Sequence, residues 1–295
     1  DWSSDVCSSD LTGLSSEYPA KCGDSICWGR LFYMENYCRK EATHMIQMSD
    51  VSKKYGDKFV VSDIDLPISE GKLTAFIGPN GAGKSTLLAM MSRLIPKDTG
   101  EIYLDKQEVK TWKQSAFSQK IALLKQANGV QLKLTVRELV NFGRFPYSKG
   151  RLKSADHEKV TEALEQLGLT EMAEEYIDTL SGGQLQRAYI AMILAQDTDY
   201  ILLDEPLNNL DMNYAVQMMQ ILKRLVDELG KTILIVLHDI NFAASYADEI
   251  VAMKGGKLYA HGATEEVIQT SILNDLYEMN IRICEIEGKR FCLYH

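Results

Sequence analysis

Hydrophobic and polar positions follow two periods along this chain. From Met45 the apolar residues come in short strand-like runs: Ile46-Gln47-Met48, Phe59-Val60-Val61 and Ile64-Asp65-Leu66-Pro67-Ile68. The last alternates apolar and polar, the pattern of a strand with one buried face. Leu73-Thr74-Ala75-Phe76-Ile77 is a short apolar run that predicts a buried strand, Gly100 to Asp105 predicts an edge-type strand, and Ile121-Ala122-Leu123-Leu124 a short buried one. From about Leu134 to Leu194 the spacing turns helical. Thr135 can cap a helix with Glu138 three residues later, and Ser154 to Leu167 carries Val160, Leu164 and Leu167 on one helical face. Buried-strand runs return at Tyr200-Ile201-Leu202-Leu203 and at Thr232 to Leu237, separated by a helix from about Tyr214 to Leu229 that Gly230 ends. In the tail, Ile281-Arg282-Ile283 and Arg290 to Leu293 flank Glu287-Gly288 as a small hairpin.

Continuous apolar strands alternating with helices predict a parallel sheet covered on both faces. The alternating early strands predict a separate antiparallel layer, and the stretch of about 132–196 an inserted α-helical subdomain. The fold class expected is therefore α/β. Ligands of such sheets bind outside the carboxyl ends of the strands. Gly78, Gln126, Asp204 and His238 all lie just past predicted strand ends, which places them in one crevice.

Composition narrows the picture in three ways. With 295 residues, 45% hydrophobic and 25% charged, the chain has room for one large α/β domain with an insertion, or for two small domains. The net charge of −9 speaks against a nucleic-acid partner, whose phosphates call for an excess of Lys and Arg. No apolar run approaches the roughly 20 residues needed to cross a bilayer, which leaves docking onto a membrane protein open.

Residues 1–44 differ from the rest. Asp1 to Leu11 shows neither period and resembles a translated sequencing adaptor; the segment also lacks the basic start and apolar stretch of a secretory signal. The expectation is a non-native leader without ordered structure, with Met45 as the natural start. Cys7, Cys22, Cys27 and Cys38 fall in this leader at spacings that match no zinc pattern. Cys284 and Cys292 fit a reducing compartment and are expected as packing thiols.

The chemistry is concentrated in Gly78-Pro79-Asn80-Gly81-Ala82-Gly83-Lys84-Ser85-Thr86, which fits G-x-x-x-x-G-K-[ST] between an apolar strand and a helix opening. Strand, glycine turn and helix together aim backbone N–H groups and a helix N-terminus at phosphate, and the glycines let the backbone close around the anion. Lys84 would reach the β- and γ-phosphates, and the Ser85 hydroxyl would ligate Mg²⁺. Asp204 ends an apolar strand, where a second Mg²⁺ ligand is needed. Glu205, next in the chain, is placed to polarise the water that attacks the γ-phosphate.

Leu180-Ser181-Gly182-Gly183-Gln184 adds the discriminating element: Ser181 can cap the following helix, and Gln184 stands twenty residues before Asp204. On these motifs the chain resembles the ABC ATPases from about Met45 to Gly262, with 263–295 left for a C-terminal helix and hairpin. The resemblance implies that Tyr55, 23 residues ahead of Gly78, stacks on adenine, and that Gln126 contacts Mg²⁺ and senses a bound partner. It implies that Ser181, Gly182, Gly183 and Gln184 contact the ATP of a second subunit. Asn208-Asn209-Leu210-Asp211 would line the dimer interface, its asparagines departing from the commoner Ser-Ala-Leu-Asp. His238 would contact the γ-phosphate and order the attacking water. ATP and Mg²⁺ follow as cofactors, and a homodimer or a dimer with a related ATPase as the assembly.

Phe142-Gly143-Arg144-Phe145-Pro146-Tyr147, Glu205 to Asp211 and His238-Asp239-Ile240-Asn241 are similar to the ATPases of ferric-siderophore importers, with haem and cobalamin importers as near neighbours. That likeness implies a peripheral subunit on the cytoplasmic face of the cell membrane. Its partner would be an integral membrane permease received around Leu132 to Tyr147, with a periplasmic or lipid-anchored binding protein involved indirectly. A soluble ABC ATPase of iron–sulfur assembly is the alternative. A chromosome- or repair-type ATPase would insert long coiled coils between the phosphate loop and the signature, and Thr86 to Leu180 shows no sustained heptads.

Overall fold

The structure, a computed structural model, describes residues 44–125, 133–208, 210–286 and 288–294. The leader up to residue 43 with its four cysteines, and the candidates Gln126, Asn209 and Glu287, lie outside the described residues.

The chain opens with β1 (His44–Tyr55) and β2 (Lys58–Ser69), crosses to a second sheet at β3 (Leu73–Ile77) and enters helix α1 (Lys84–Met91). It returns to the first sheet with β4 (Thr99–Leu104) and the two-residue β5 (Gln107–Glu108). These four strands form the expected antiparallel layer, in the order β2-β1-β4-β5. The separate early runs merge into one long antiparallel pair, in which Ile64, Leu66 and Ile68 are buried while Asp63 and Asp65 face out. The predicted edge strand β4 carries β5 on its outer side. The turn between them is made by Asp105 and Lys106, both at positive φ (51° and 64°), the conformation of a tight hairpin turn.

Helix α2 (Gln114–Lys120) leads into β6 (Ile121–Leu124). The helical stretch follows: α3 (Val136–Asn141), α4 (Phe145–Ser148), α5 (Ser154–Gln166) and α6 (Gly182–Ala195). The Thr135–Glu138 box forms as its spacing predicts: Glu138 N donates to Thr135 Oγ1 at 3.2 Å, and Thr135 N to Glu138 Oε2 at 2.8 Å. Inside this helical unit Arg144 pairs with Asp156 at 3.0 Å and donates to the Ala195 carbonyl at 2.8 Å, both side chains being buried.

The chain then runs through β7 (Tyr200–Asp204), α7 (Met212–Leu229), β8 (Thr232–Val236), α8 (Ile240–Tyr246), β9 (Glu249–Lys254) and β10 (Lys257–Ala263). Gly230 ends α7 with φ 61°, as its position predicts. The main sheet has the order β10-β9-β3-β8-β7-β6, parallel throughout except for β10. Every residue of β3, β7 and β8 is buried, because the sheet is packed on both faces. Alternation along β3 sorts the two cores: Ala75 and Ile77 pack with α6 and α7, while Phe76 packs with α1 and the antiparallel layer. The tail adds α9 (Thr264–Val267), α10 (Thr270–Tyr277) and the antiparallel hairpin β11 (Ile281–Ile286) and β12 (Lys289–Tyr294). Cys292 is a buried free thiol that desolvation pushes up to about 11; Cys284 is half-buried and also free. Among the described residues no helix is long and apolar enough to cross a membrane.

Candidate nucleotide site

The carboxyl ends of β3, β7 and β8 converge on one edge of the main sheet. From β3 the chain turns through Gly78 to Gly83 and starts α1 at Lys84. Gly78 has φ 135°, and a Cβ there would stand 2.1 Å from the Met253 carbonyl oxygen on β9, so no side chain fits. Asn80 and Gly81 form the exposed tip, while Ala82, Gly83 and Lys84 are buried. The Lys84 ammonium donates to the carbonyls of Gly78 (2.7 Å) and Pro79 (3.0 Å). Burial lowers its pKa below the usual lysine range, opposed by the charges of Glu205 and Asp204.

Ser85 Oγ donates to Asp204 Oδ1 at 2.6 Å, joining the start of α1 to the end of β7. Burial raises the Asp204 carboxyl; the Ser85 hydrogen bond opposes this, the Glu205 charge adds to it, and Lys125 and Lys84 pull it back. A hydroxyl and a carboxylate in contact are hard oxygen donors of the kind that hold Mg²⁺ together with phosphate oxygens, so the residues present fit that ion.

Glu205 sits at φ 53°, a left-handed conformation that costs a non-glycine residue on the order of 1–3 kcal/mol and occurs at functional sites. Both of its carboxylate oxygens are engaged. Oε1 lies 2.7 Å from His238 Nε2, and Oε2 accepts from Asn208 Nδ2 at 2.6 Å. A cleft of about 240 Å³ opens beside them, lined by Glu205, Asn208, His238 and Met212 among others. Just past His238, Asp239 caps α8 by accepting from Asn241 N at 2.7 Å.

A second group forms its own surface. Ser181 caps α6 and pairs reciprocally with Gln184, at 3.3 Å from Gln184 N and 2.8 Å to Gln184 Oε1. Ser181 and Gly182 are exposed, whereas Gly183 is pressed against the Tyr214 ring of α7. Asp211 caps α7 by accepting from Tyr214 N at 3.0 Å, so the start of α6 and the loop before α7 meet at Tyr214. Tyr55, at the end of β1, is 54% exposed with the Lys53 ammonium 5.6 Å from its ring centroid.

Lys84, Ser85, Asp204, Glu205 and His238 are thus brought together, and Ser181 to Gln184 with Asp211 lie in a separate group. Thr86 is half-buried on α1 with no part in either set of contacts described above. Two contacts escape sequence reasoning: the bond of Asn208, expected only at the dimer interface, to Glu205, and that of Tyr277 to Gly78. Asn208 could have been noticed as a polar residue three positions past Glu205, in a turn closed by Asn208 N donating to Glu205 O at 3.3 Å. Tyr277, whose hydroxyl accepts from Gly78 N at 3.0 Å, carries no local signal.

A glycine-lysine-serine loop between the strand and helix of a parallel sheet, facing strand-end carboxylates, defines the class: a P-loop nucleotide-binding protein. The family model for ABC transporters matches residues 61–208. The chain is 54% identical over 250 residues to the petrobactin import ATP-binding protein YclP of Bacillus subtilis (strain 168), covering 85% of this chain and 99% of that one. It is 41% identical over 231 residues to the iron(3+)-hydroxamate import ATP-binding protein FhuC of the same strain, covering 78% and 86%. The dimeric structure of MJ0796, a bacterial ABC transporter cassette, matches with a TM-score of 0.66 at 32% identity, over 75% of this chain and 99% of that one. The chain belongs to the ABC transporter family. It is an ATP-hydrolysing subunit of such a transporter.

Proposed function

We propose that this subunit drives the import of ferric siderophores, working as a dimer on the cytoplasmic face of the cell membrane beneath an integral permease. The observation that carries the chemical reading is the Glu205 carboxylate at the end of β7, held through both oxygens by His238 and Asn208 beside the Ser85–Asp204 pair. In this reading the N–H groups of 79–86 and the Lys84 ammonium bind the phosphates of ATP, and Tyr55 stacks on the adenine. Mg²⁺ would be held by Ser85 and Asp204, with Gln126 as the further ligand that the family resemblance implies, and would supply neutralisation of charge on the phosphate oxygens. Glu205 accepts a hydrogen bond from a water and aims its oxygen at the γ-phosphorus, while His238 steadies that water and the γ-phosphate. The water oxygen bonds to the γ-phosphorus as the bond from the β–γ bridging oxygen to that phosphorus breaks; the water's proton passes by way of Glu205 to the released phosphate, and ADP and phosphate leave.

The exposed Ser181–Gly182 helix start and the Asp211 loop complete the site of a second subunit, a homodimer or a related ATPase. The dimeric cassette with which this fold matches supports that arrangement. Residues 45–262 form the ATPase domain with its helical subdomain at about 132–196, and 263–295 follow it. Phe142 and Phe145, each more than half exposed in the helical unit, offer the permease an apolar contact. The named relatives are ATP-binding proteins of petrobactin import and of iron(3+)-hydroxamate import, which favours a ferric siderophore as cargo over a role in iron–sulfur assembly. No residue of this subunit touches the chelate in this reading; the permease and its binding protein select it.

A cellular test settles the proposal. In a strain lacking its siderophore-import ATPase but retaining the cognate permease, the chain should restore uptake of radiolabelled ferric siderophore and fractionate with membranes, and Lys84→Ala should restore neither ATP turnover nor uptake. A wild-type chain that hydrolyses ATP, restores no uptake and stays out of the membrane fraction would overturn it.

A further inference from the structure

We infer that the C-terminal helix and hairpin brace the nucleotide site, with Tyr277 acting as a positioning residue for the phosphate loop. The inference rests on the reading of that loop as the ATP site. Gly78 is the first loop residue after β3, and its N–H lies beyond the pairing of β3 with β8, which ends at Phe76↔Val236. Gly78 is buried, so its N–H needs an acceptor inside the protein. Tyr277, the last residue of α10, supplies it: Gly78 N donates to Tyr277 Oη at 3.0 Å. Met253 O on β9 crowds the same glycine, where even a Cβ would stand 2.1 Å away. The start of the loop is therefore in close contact with β9 and bonded to the C-terminal helix.

The hydroxyl is suited to this task. Burial pushes it up to about 12, with the Gly78 hydrogen bond pulling the other way, so it stays a neutral phenol at any working pH. Its position is in turn fixed. Leu273 and Leu276 bury one face of α10, and Asn274 Oδ1 accepts from Ile281 N at 2.6 Å, tying α10 to β11.

A second, independent tie reaches the other half of the site. Asn241, on the α8 helix that begins just past His238, exchanges two hydrogen bonds with the backbone of Cys292 on β12. Cys292 N donates to Asn241 Oδ1 at 2.7 Å, and Asn241 Nδ2 donates to Cys292 O at 3.2 Å. Cys292 and Ile281 of this hairpin are both buried. One tail, beyond the 61–208 that match the family model, is thus bonded both to the start of the phosphate loop and to the helix after the histidine.

A loop already fixed in its binding conformation loses less freedom when it closes on an anion, which raises affinity without any new contact to the ligand. Tyr277→Phe removes the hydroxyl and keeps the ring. The expected result is an ATP dissociation constant, and a KM for ATP, weakened about tenfold (about 1.4 kcal/mol). At saturating ATP, kcat should stay within about twofold of wild type, because Glu205, His238 and Asn208 are untouched. Calorimetric titration with ATP, steady-state kinetics and the melting temperature without nucleotide give the readings on the full chain. A lowered melting temperature with wild-type ATP affinity would mean that the bond serves packing alone and would overturn the inference. An unchanged variant would overturn it as well. Failure of the wild-type chain itself to bind ATP would instead sink the reading of the loop, and this inference with it.

Discussion

A single methyl group at Gly183 should separate ATP binding from dimer formation. In Gly183→Ala the new Cβ would stand 2.7 Å from Tyr214 Cγ and 2.8 and 3.0 Å from the two adjacent ring carbons. Carbon atoms in favourable contact lie about 3.5–4.0 Å apart, so either the start of α6 or the Tyr214 ring must give way by roughly 0.5–1 Å. The atoms met are at the root of the ring and cannot swing aside as a flexible side-chain end would. Overpacking of this kind costs about 1–3 kcal/mol. The displacement runs straight into the second group of the site, because Tyr214 N is the donor that Asp211 accepts and the Arg187 guanidinium lies 5.8 Å from the Tyr214 ring. Lys84, Ser85 and Asp204 share none of these contacts. The monomer should therefore bind ATP within about twofold of wild type, while ATP-dependent dimerisation and hydrolysis fall by about 5- to 150-fold, the range that 1–3 kcal/mol corresponds to. Titration of a fluorescent ATP analogue at low protein concentration reads the first quantity; sedimentation with ATP and the dependence of turnover on protein concentration read the second. Unchanged dimerisation and turnover, or equal loss of monomer affinity, would refute the division of the site into two groups.

Lys84→Ala should abolish hydrolysis and weaken ATP binding at least tenfold, since it removes the buried cation beside the loop carbonyls; normal turnover by that variant would show the loop to be misread. Asp156→Ala should cost about 3 kcal/mol in urea unfolding, because Arg144 is left buried without its carboxylate. The Lys153 backbone N–H, and then Arg144, hold the Asp156 carboxyl below its ordinary 3.8. A lowered folded-state pKa means that the unfolded chain takes up this proton first. The stabilisation is therefore complete above about pH 4 and is lost as pH falls further, and the gap between wild type and Asp156→Asn should narrow below about pH 4. A gap that widened on acidification would contradict the assignment.

What the sequence makes legible is what local chemistry dictates. Gly78 to Thr86, Asp204 and the Ser181–Gln184 cap each depend on residues within a few positions, and their strands and helices form where the apolar periods put them. The rule that ligands sit past strand ends put Gly78, Asp204 and His238 in one crevice, and His238 lies 2.7 Å from Glu205, the residue after Asp204. β5 was not legible, because its hairpin turns on Asp105 and Lys106 at positive φ and contains no glycine. β9 and β10 carry a readable turn at Gly255-Gly256, but β9 belongs to the sheet through pairing with β3, some 175 residues earlier, as in Thr74↔Glu249. The Tyr277–Gly78 bond spans 199 residues, and no periodicity encodes it.

The central claim is that Glu205 performs the chemistry while other groups perform the binding, and Glu205→Gln tests it most directly. The amide keeps the size of the carboxylate and an oxygen for Asn208 Nδ2, and it removes the charge proposed to activate water. Ser85, Lys84 and the Ser181 cap are unaltered. Hydrolysis should slow about a thousandfold, equivalent to roughly 4 kcal/mol of barrier, with ATP still bound. In the proposed dimer ATP joins the two subunits and hydrolysis frees them, so size-exclusion chromatography in ATP should show the variant as a stable dimer where the wild type returns to monomer. A variant that turns over ATP at the wild-type rate, or that stays monomeric with ATP bound, would contradict the claim.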